Sequence, residues 1–216
     1  MKFNLLQVSG FHQAIKGMRN PLKSYNKADS EITYPNRDLN PCFELGENDY
    51  SLASRLFKAG PEHRKWMRMV YVWVDIWAPR YWWSEFDTYK VGTAANSEST
   101  MHKLKDESFD KKDFEFDWGV SESADKHMED TLKTLKDIQS EYQKADSSEK
   151  EKYHRLMKQI LPESFIQKRT VCLNYEVLAN MYKQRKNHRL PQWSVDFVNF
   201  VKALPYSEFV TGEFKK

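Results

Sequence analysis

A mixed α/β (α+β) protein, with a central sheet packed by helices and a long helical hairpin, is predicted by three features of this 216-residue sequence. The run KWMRMVYVWVDIW, 65–77, is apolar on both faces beyond Arg68, the pattern of a central strand buried on two sides. Met128, Leu132, Leu135, Ile138 and Tyr142 recur at helical spacing, and a second amphipathic segment follows them. A further strand, 165–173, leads to Asn174, a residue type that starts helices by accepting a backbone N–H.

Taken in order, residues 3–8 read as the first strand. Turn-rich sequence follows, with RNP at 19–21, TYPN at 33–36 and NPC at 40–42. Residues 51–59 read as a short helix stopped by Gly60-Pro61. The strand 65–77 ends at Ala78-Pro79. Proline suits a first helical turn, so 79–90 is expected to be helical, with Trp82, Phe86 and Tyr89 on one face. The stretch 106–118 carries six acids and two lysines and reads as a solvated loop. Helices at 123–143 and 147–160 make the hairpin, about 122–161 in all, with Asp146 and Glu149 as a capping pair. Tyr153, Leu156, Met157 and Ile160 line the second helix, and Leu161-Pro162 closes it. The last helix starts at Pro191, carries Trp193, Phe197, Phe200, Val201 and Leu204 on one face, and ends at Pro205. No repeat interrupts the chain, and residues 1–216 are expected to form one domain.

Composition narrows the function classes. A formal charge of +3 is too weak to imply a polyanion partner by itself. Cys42 and Cys172 form no metal or redox pattern, and none of the six histidines has metal-ligand spacing. No apolar run approaches a membrane span and no secretory segment follows Met1-Lys2, so a cytoplasmic protein is expected. No P-loop, GxGxxG or GxSxG occurs. The tryptophan-rich region 66–83 reads as buried strand and helix in preference to a base-stacking surface. Charge is uneven, however. Residues 150–190 hold ten Lys and Arg against three acids, a local excess of +7. That favours an anion (a nucleotide phosphate, the acidic loop or a nucleic acid), and a solvated basic surface accounts for it equally well.

Arg185 is the sharper feature. On a helix from 174 to 185, at about 100° per residue, Val177, Leu178 and Met181 share one face with Tyr182 at its edge, and Arg185 falls at the centre of that face. Lys183 and Lys186 point the other way. Two readings follow. Arg185 ends the helix, favours the negative end of its dipole and reaches outward. Alternatively it presents a fork of donors to a carboxylate, a phosphate or a pyrimidine carbonyl.

The block 161–193 resembles the C-terminal core of the flavin-dependent thymidylate synthases, the ThyX family. The residues that carry the resemblance are Leu161-Pro162, Asn174, Asn180, Arg185, His188 and Gln192-Trp193. No gap is needed from Leu161 to Arg185, and one extra residue near Leu190-Pro191 precedes Gln192. Upstream, Glu62-His63, a strand and Ala78-Pro79 resemble the approach to the family's signature. The signature itself, an Arg-His-Arg followed by Ser, Asn-Glu, Ser and Arg-Tyr, is largely replaced: Thr88, Tyr89 and Lys90 stand where the Arg-His-Arg would. Thr93 keeps the chemistry of the first Ser. Glu176 occupies a place that is often basic.

The resemblance implies a compact α/β subunit assembled as a homotetramer, with FAD at subunit interfaces, NADPH as hydride source and methylenetetrahydrofolate as carbon donor to dUMP. It implies that Arg185, Lys158 and Lys90 hold the nucleotide, and that Asn174, Asn180, His188 and Tyr89 face the flavin. No side chain need attack the nucleotide, since the cofactor carries the chemistry. Losing two bidentate arginines weakens the phosphate cradle. A divergent flavin-dependent synthase is therefore expected, with a non-catalytic nucleotide-binding module of the same fold and a nucleic-acid-binding protein as the alternatives.

Overall fold

The computed structural model describes residues 1–33 and 42–214, so the turns expected at 33–36 and 40–42 fall largely outside the described residues. In chain order the elements are β1 (Lys2–Ser9), α1 (Phe11–Gly17), β2 (Glu31–Thr33), β3 (Cys42–Glu44), α2 (Glu47–Ala59), β4 (Tyr71–Pro79), α3 (Arg80–Phe86), β5 (Thr93–Ser97) and α4 (Thr100–Lys103). They continue as α5 (Glu122–Lys144), α6 (Ser147–Ile160), β6 (Ile166–Asn174), α7 (Tyr175–Arg185), a π-helical turn (Gln192–Phe197), α8 (Val198–Lys202) and α9 (Glu208–Thr211). The main sheet has the order β1-β4-β6-β5, and β2 and β3 form a separate antiparallel ribbon with Ile32 opposite Phe43. By contacts, the chain divides into two compact units.

One unit comprises residues 3–75, 89–95 and 170–216. Its core includes Val70, Val72 and Val74 of the β4 region, Leu178 and Met181 of α7, and Trp193. The expectation that the 65–77 strand is buried on both sides holds from Val74 onward, where Val74, Asp75 and Ile76 are buried in succession, and is corrected before that. Residues 65–69 wind as a 3-10 turn, and Tyr71 and Trp73 stand 41% and 43% exposed while the alternate valines face inward. Aromatic side chains suit either face of a strand, so residue type alone could not tell which side is covered. Tyr175 is fully buried against the edge of the Phe11 ring, and its hydroxyl donates to the carbonyl oxygen of Pro205 at 2.5 Å. A buried pair, Arg19 and Asp49, ties α1 to α2, with Arg19 Nε 2.5 Å from Asp49 Oδ1. The second oxygen of Asp49 accepts from the backbone N–H groups of Asp29 and Ser30 and from the Ser30 hydroxyl.

The other unit comprises residues 1–2, 76–88 and 96–169. The helices α5 and α6 lie in it, and Met128, Leu132, Leu135 and Ile138 of α5 pack with Met157, Leu161 and Phe165. Ser121 caps α5, accepting from Ala124 N. The capping expectation at α6 is corrected: Asp146 is the N-cap residue but makes no side-chain cap bond, and Glu149 N bonds its backbone carbonyl at 2.9 Å. The reading of 106–118 as a wholly solvated loop is also corrected. Phe109 and Phe114 are buried in the hairpin core, and Phe114 bridges to Phe165. Asp106, Asp110 and Asp117 stay outside, where Asp110 meets Lys136 at 3.0 Å, while Glu107, Asp113 and Glu115 are half-buried and burial pushes the Glu107 carboxyl up. Apolar residues spaced among charges let one strip of the loop dip inward while most carboxylates keep water.

Candidate functional site

The geometry of α7 begins with Asn174. Its side-chain oxygen accepts from Val177 N at 3.0 Å, closing the first turn. Above it runs the segment between α3 and β5. Gly92 there has φ +77°, and a Cβ on it would lie 2.7 Å from Asn174 Nδ2 and 2.9 Å from Val177 Cγ2. Glycine alone allows this approach. The same segment carries Tyr89, whose backbone carbonyl accepts from the Thr93 hydroxyl.

Arg185 lies in the last turn of α7, half-buried. Its Nε donates to the phenolic oxygen of Tyr89 at 2.8 Å. Its guanidinium carbon sits 4.8 Å from the ring centroid of the fully buried Trp193 and 5.5 Å from that of Tyr89. Such contacts hold a cation against an aromatic wall with about 1 kcal/mol or more each when water is partly excluded. His188 joins the edge of the group, its ring 6.5 Å from that of Trp193, with Nδ1 accepting from Leu190 N at 3.2 Å.

A cavity of about 510 Å³ opens on another side of α7. Glu176, Asn180 and Lys183 form its helical wall, and Phe57, Arg64 and Thr211 lie across it. At 100° per residue, the centre of that wall is about 170° round the helix from Arg185. Glu176 takes a two-point ion pair from Arg64, with Nε to Oε2 at 2.8 Å and Nη2 to Oε1 at 2.9 Å. Glu176, the departure from the often-basic position, is thus matched by a cation from elsewhere in the chain, Arg64. Lys183 and Lys186 are exposed at the cavity rim.

No protein-family model matches the chain, and no curated protein matches it. Solved structures do. A flavin-dependent thymidylate synthase ThyX from Helicobacter pylori, complexed with FAD and dUMP, superposes with a TM-score of 0.71. The match covers 99% of this chain and 98% of that one at 16% identity. A second structure of the Helicobacter pylori protein with FAD and dUMP gives the same TM-score and identity over 97% of its length. The fold is that of ThyX. At this identity the likeness establishes the ThyX architecture and leaves chemistry to the residues.

Arg185, Tyr89 and His188 gather around Trp193. Asn180 lies on the cavity wall, exposed. Asn174 is buried, its amide oxygen capping the helix. Lys90 is exposed beside Tyr89 in sequence, and Lys158 lies half-buried in the last turn of α6, in the hairpin unit. Sequence reasoning missed Arg64 and Gln184. An acid at Glu176, at a position the resemblance makes often basic, was the available signal that a cation from elsewhere meets it. Among the described residues no helix is long and apolar enough to cross a membrane.

Proposed function

We propose that this protein binds a pyrimidine nucleotide of the dUMP type through Arg185 and a flavin along the Asn180 side of α7. The observation that carries the reading is the placement of Arg185. The side chain of this helix-end arginine is held against Tyr89 and Trp193. A fork of donors fixed against an aromatic wall suits a ligand with both carbonyl or phosphate oxygens and a flat ring.

The flavin is tested against the residues present. The cavity beside Asn180 carries an amide for a polar ring edge and the cations Lys183 and Lys186 at its rim for phosphates. These fit an anionic cofactor such as FAD. Asn180 would stand nearest to it, with Asn174 holding the start of the helix, while His188 and Tyr89 lie on the Arg185 side. Bound there, the flavin supplies hydride transfer, and the protein supplies position and charge. The reaction proposed with it is the reductive methylation of the nucleotide, with NADPH and methylenetetrahydrofolate as co-substrates. The exposed Tyr71 and Trp73 support a homo-oligomer, the tetramer that the resemblance implies. Lys158 and Lys90 remain proposed phosphate contacts, and a cytoplasmic location goes with these ligands.

One observation favours binding without turnover. Tyr89, at a signature position, turns its hydroxyl to Arg185 instead of supplying a phosphate donor. The test separates the readings. The purified protein is examined for flavin absorbance, then melted with FAD, dUMP and both. Stabilisation by both ligands, with reduced flavin oxidised when the folate and dUMP are added, supports the enzyme. Stabilisation by dUMP alone supports the binding module. A colourless protein whose melting point ignores every nucleotide excludes both.

A further inference from the structure

The bonds around Tyr89 form a directed chain. Arg185 Nε donates to the Tyr89 hydroxyl at 2.8 Å, and that hydroxyl donates to Gln184 Oε1 at 2.8 Å. Gln184 Nε2 then donates to Asn180 Oδ1 at 3.1 Å. Each middle member accepts from one side and donates to the other, so every bond polarises the next. The chain also turns round the helix. It starts at Arg185 on one side and ends at Asn180, which lines the cavity on another.

We propose that Tyr89 is a positioning residue with two tasks: it fixes the plane of the Arg185 guanidinium for the nucleotide, and it couples that site to the amide of Asn180. The inference rests on the nucleotide-binding reading above. One phenolic oxygen carries both tasks. Holding Nε at one corner, with the guanidinium over Trp193, sets the direction in which the rest of the fork faces. Consuming the Asn180 carbonyl oxygen in the chain presents the amide's other end, its NH₂, as the group a ligand on the cavity side meets. A carbonyl or phosphate oxygen that accepts from the guanidinium feeds electron density into it and weakens its Nε–H as a donor, and the effect passes down the chain to that amide. Occupation of the two sites is thereby coupled, and the linkage is reciprocal.

The segment that holds Tyr89 is built for this. Gly92 lets it lie directly on Asn174 and Val177, and Thr93 pins the Tyr89 carbonyl. Phenylalanine keeps the ring beside Trp193 but offers Arg185 no acceptor and Gln184 no donor.

The experiment measures dUMP binding by calorimetry, with and without FAD, for the wild type, Tyr89→Phe and Gln184→Ala. Tyr89→Phe is expected to melt near the wild-type temperature without ligand, yet to weaken dUMP about tenfold through the lost charge-assisted bond. Its dUMP affinity is also expected to stop responding to FAD. Gln184→Ala leaves the bond to Arg185 in place, so it should keep most of the dUMP affinity and lose the response to FAD. Should Tyr89→Phe fail to fold, Gln184→Ala alone decides the coupling. The tyrosine difference spectrum on adding dUMP should be present in the wild type and absent in Tyr89→Phe. A wild type that binds dUMP, with both variants matching it in affinity and in response to FAD, overturns the role of Tyr89 and leaves the nucleotide site standing. A wild type that binds no pyrimidine nucleotide overturns the reading itself and the inference with it.

Discussion

Arg64 and Glu176 meet at two points across the wall of the α7 cavity, at 2.8 and 2.9 Å, with each side chain only 16% exposed. The Arg64 guanidinium also lies 4.8 Å from the Phe57 ring centroid. A pair this sheltered is costly to break on one side only, because the remaining charge loses both its partner and its water. Arg64→Ala or Glu176→Ala alone is expected to cost about 2 to 4 kcal/mol. The double variant should cost less than the sum, with a coupling of about 1 to 3 kcal/mol in a urea-melt cycle. Strict additivity would mean that the pair contributes no coupling energy.

The start of α7 depends on a close fit between Gly92 and Asn174. Asn174→Ala removes the cap bond and is expected to cost about 1 kcal/mol. Gly92→Ala should cost at least about 1 kcal/mol, since it combines a positive φ with a Cβ placed 2.7 Å from the Asn174 amide. The glycine variant should also weaken any ligand of Arg185, because Tyr89 rides on the same segment. Thermal melts and dUMP titrations of the two variants check both points. A Gly92→Ala protein with wild-type stability and affinity would show that the segment does not need to lie so close.

Asp49 makes acid stability a readable property. Burial pushes its carboxyl up, but the hydrogen bonds from Ser30, Asp29 and Arg19 outweigh it, and the carboxyl titrates below its ordinary value. The folded form therefore holds on to its charge longer than the unfolded chain does. The stability this contributes is complete above the unfolded carboxylate value of about 3.9 and is lost as pH falls through the lower folded value. Asp49→Asn is expected to be less stable than the wild type at neutral pH and to lose less stability on acidification through pH about 4. Parallel denaturant curves across that range would show otherwise if the two proteins fell together.

The uncovered side of β4 predicts assembly. Tyr71 and Trp73 are 41% and 43% exposed, and Leu6 on β1 is 49% exposed. Trp73→Glu should reduce the mass seen by light scattering and leave the far-ultraviolet spectrum unchanged. A wild type already monomeric at high concentration would remove the oligomer from the proposal.

The hairpin and α7 were legible in the sequence because they obey local rules. The seam of α5 repeats at helical spacing, and Asn174 makes the cap bond that its residue type favours. The inward direction of Arg185 could also be read, since it is an angle on one helix. Its partner could not. Tyr89 lies 96 positions away, and Arg64 lies 112 from Glu176, so nothing local marks either pair. The strand β5 escaped notice for a different reason. Its sequence TAANS has few β-branched or aromatic residues, and as the last strand in the sheet order it gains its place from a neighbour and not from its own preference.

The π-helical turn at Gln192–Phe197 carries Trp193, the ring against which the Arg185 guanidinium lies. An i→i+5 ring encloses an additional residue compared with an α-turn, so a helix can swallow an insertion as a local swelling while its flanks stay in step. Excising that residue would rewind the swelling and swing what precedes it by about 100° against α8. The indole would be carried out from under the Arg185 guanidinium. The swelling thus bears on where the Trp193 plate is seated.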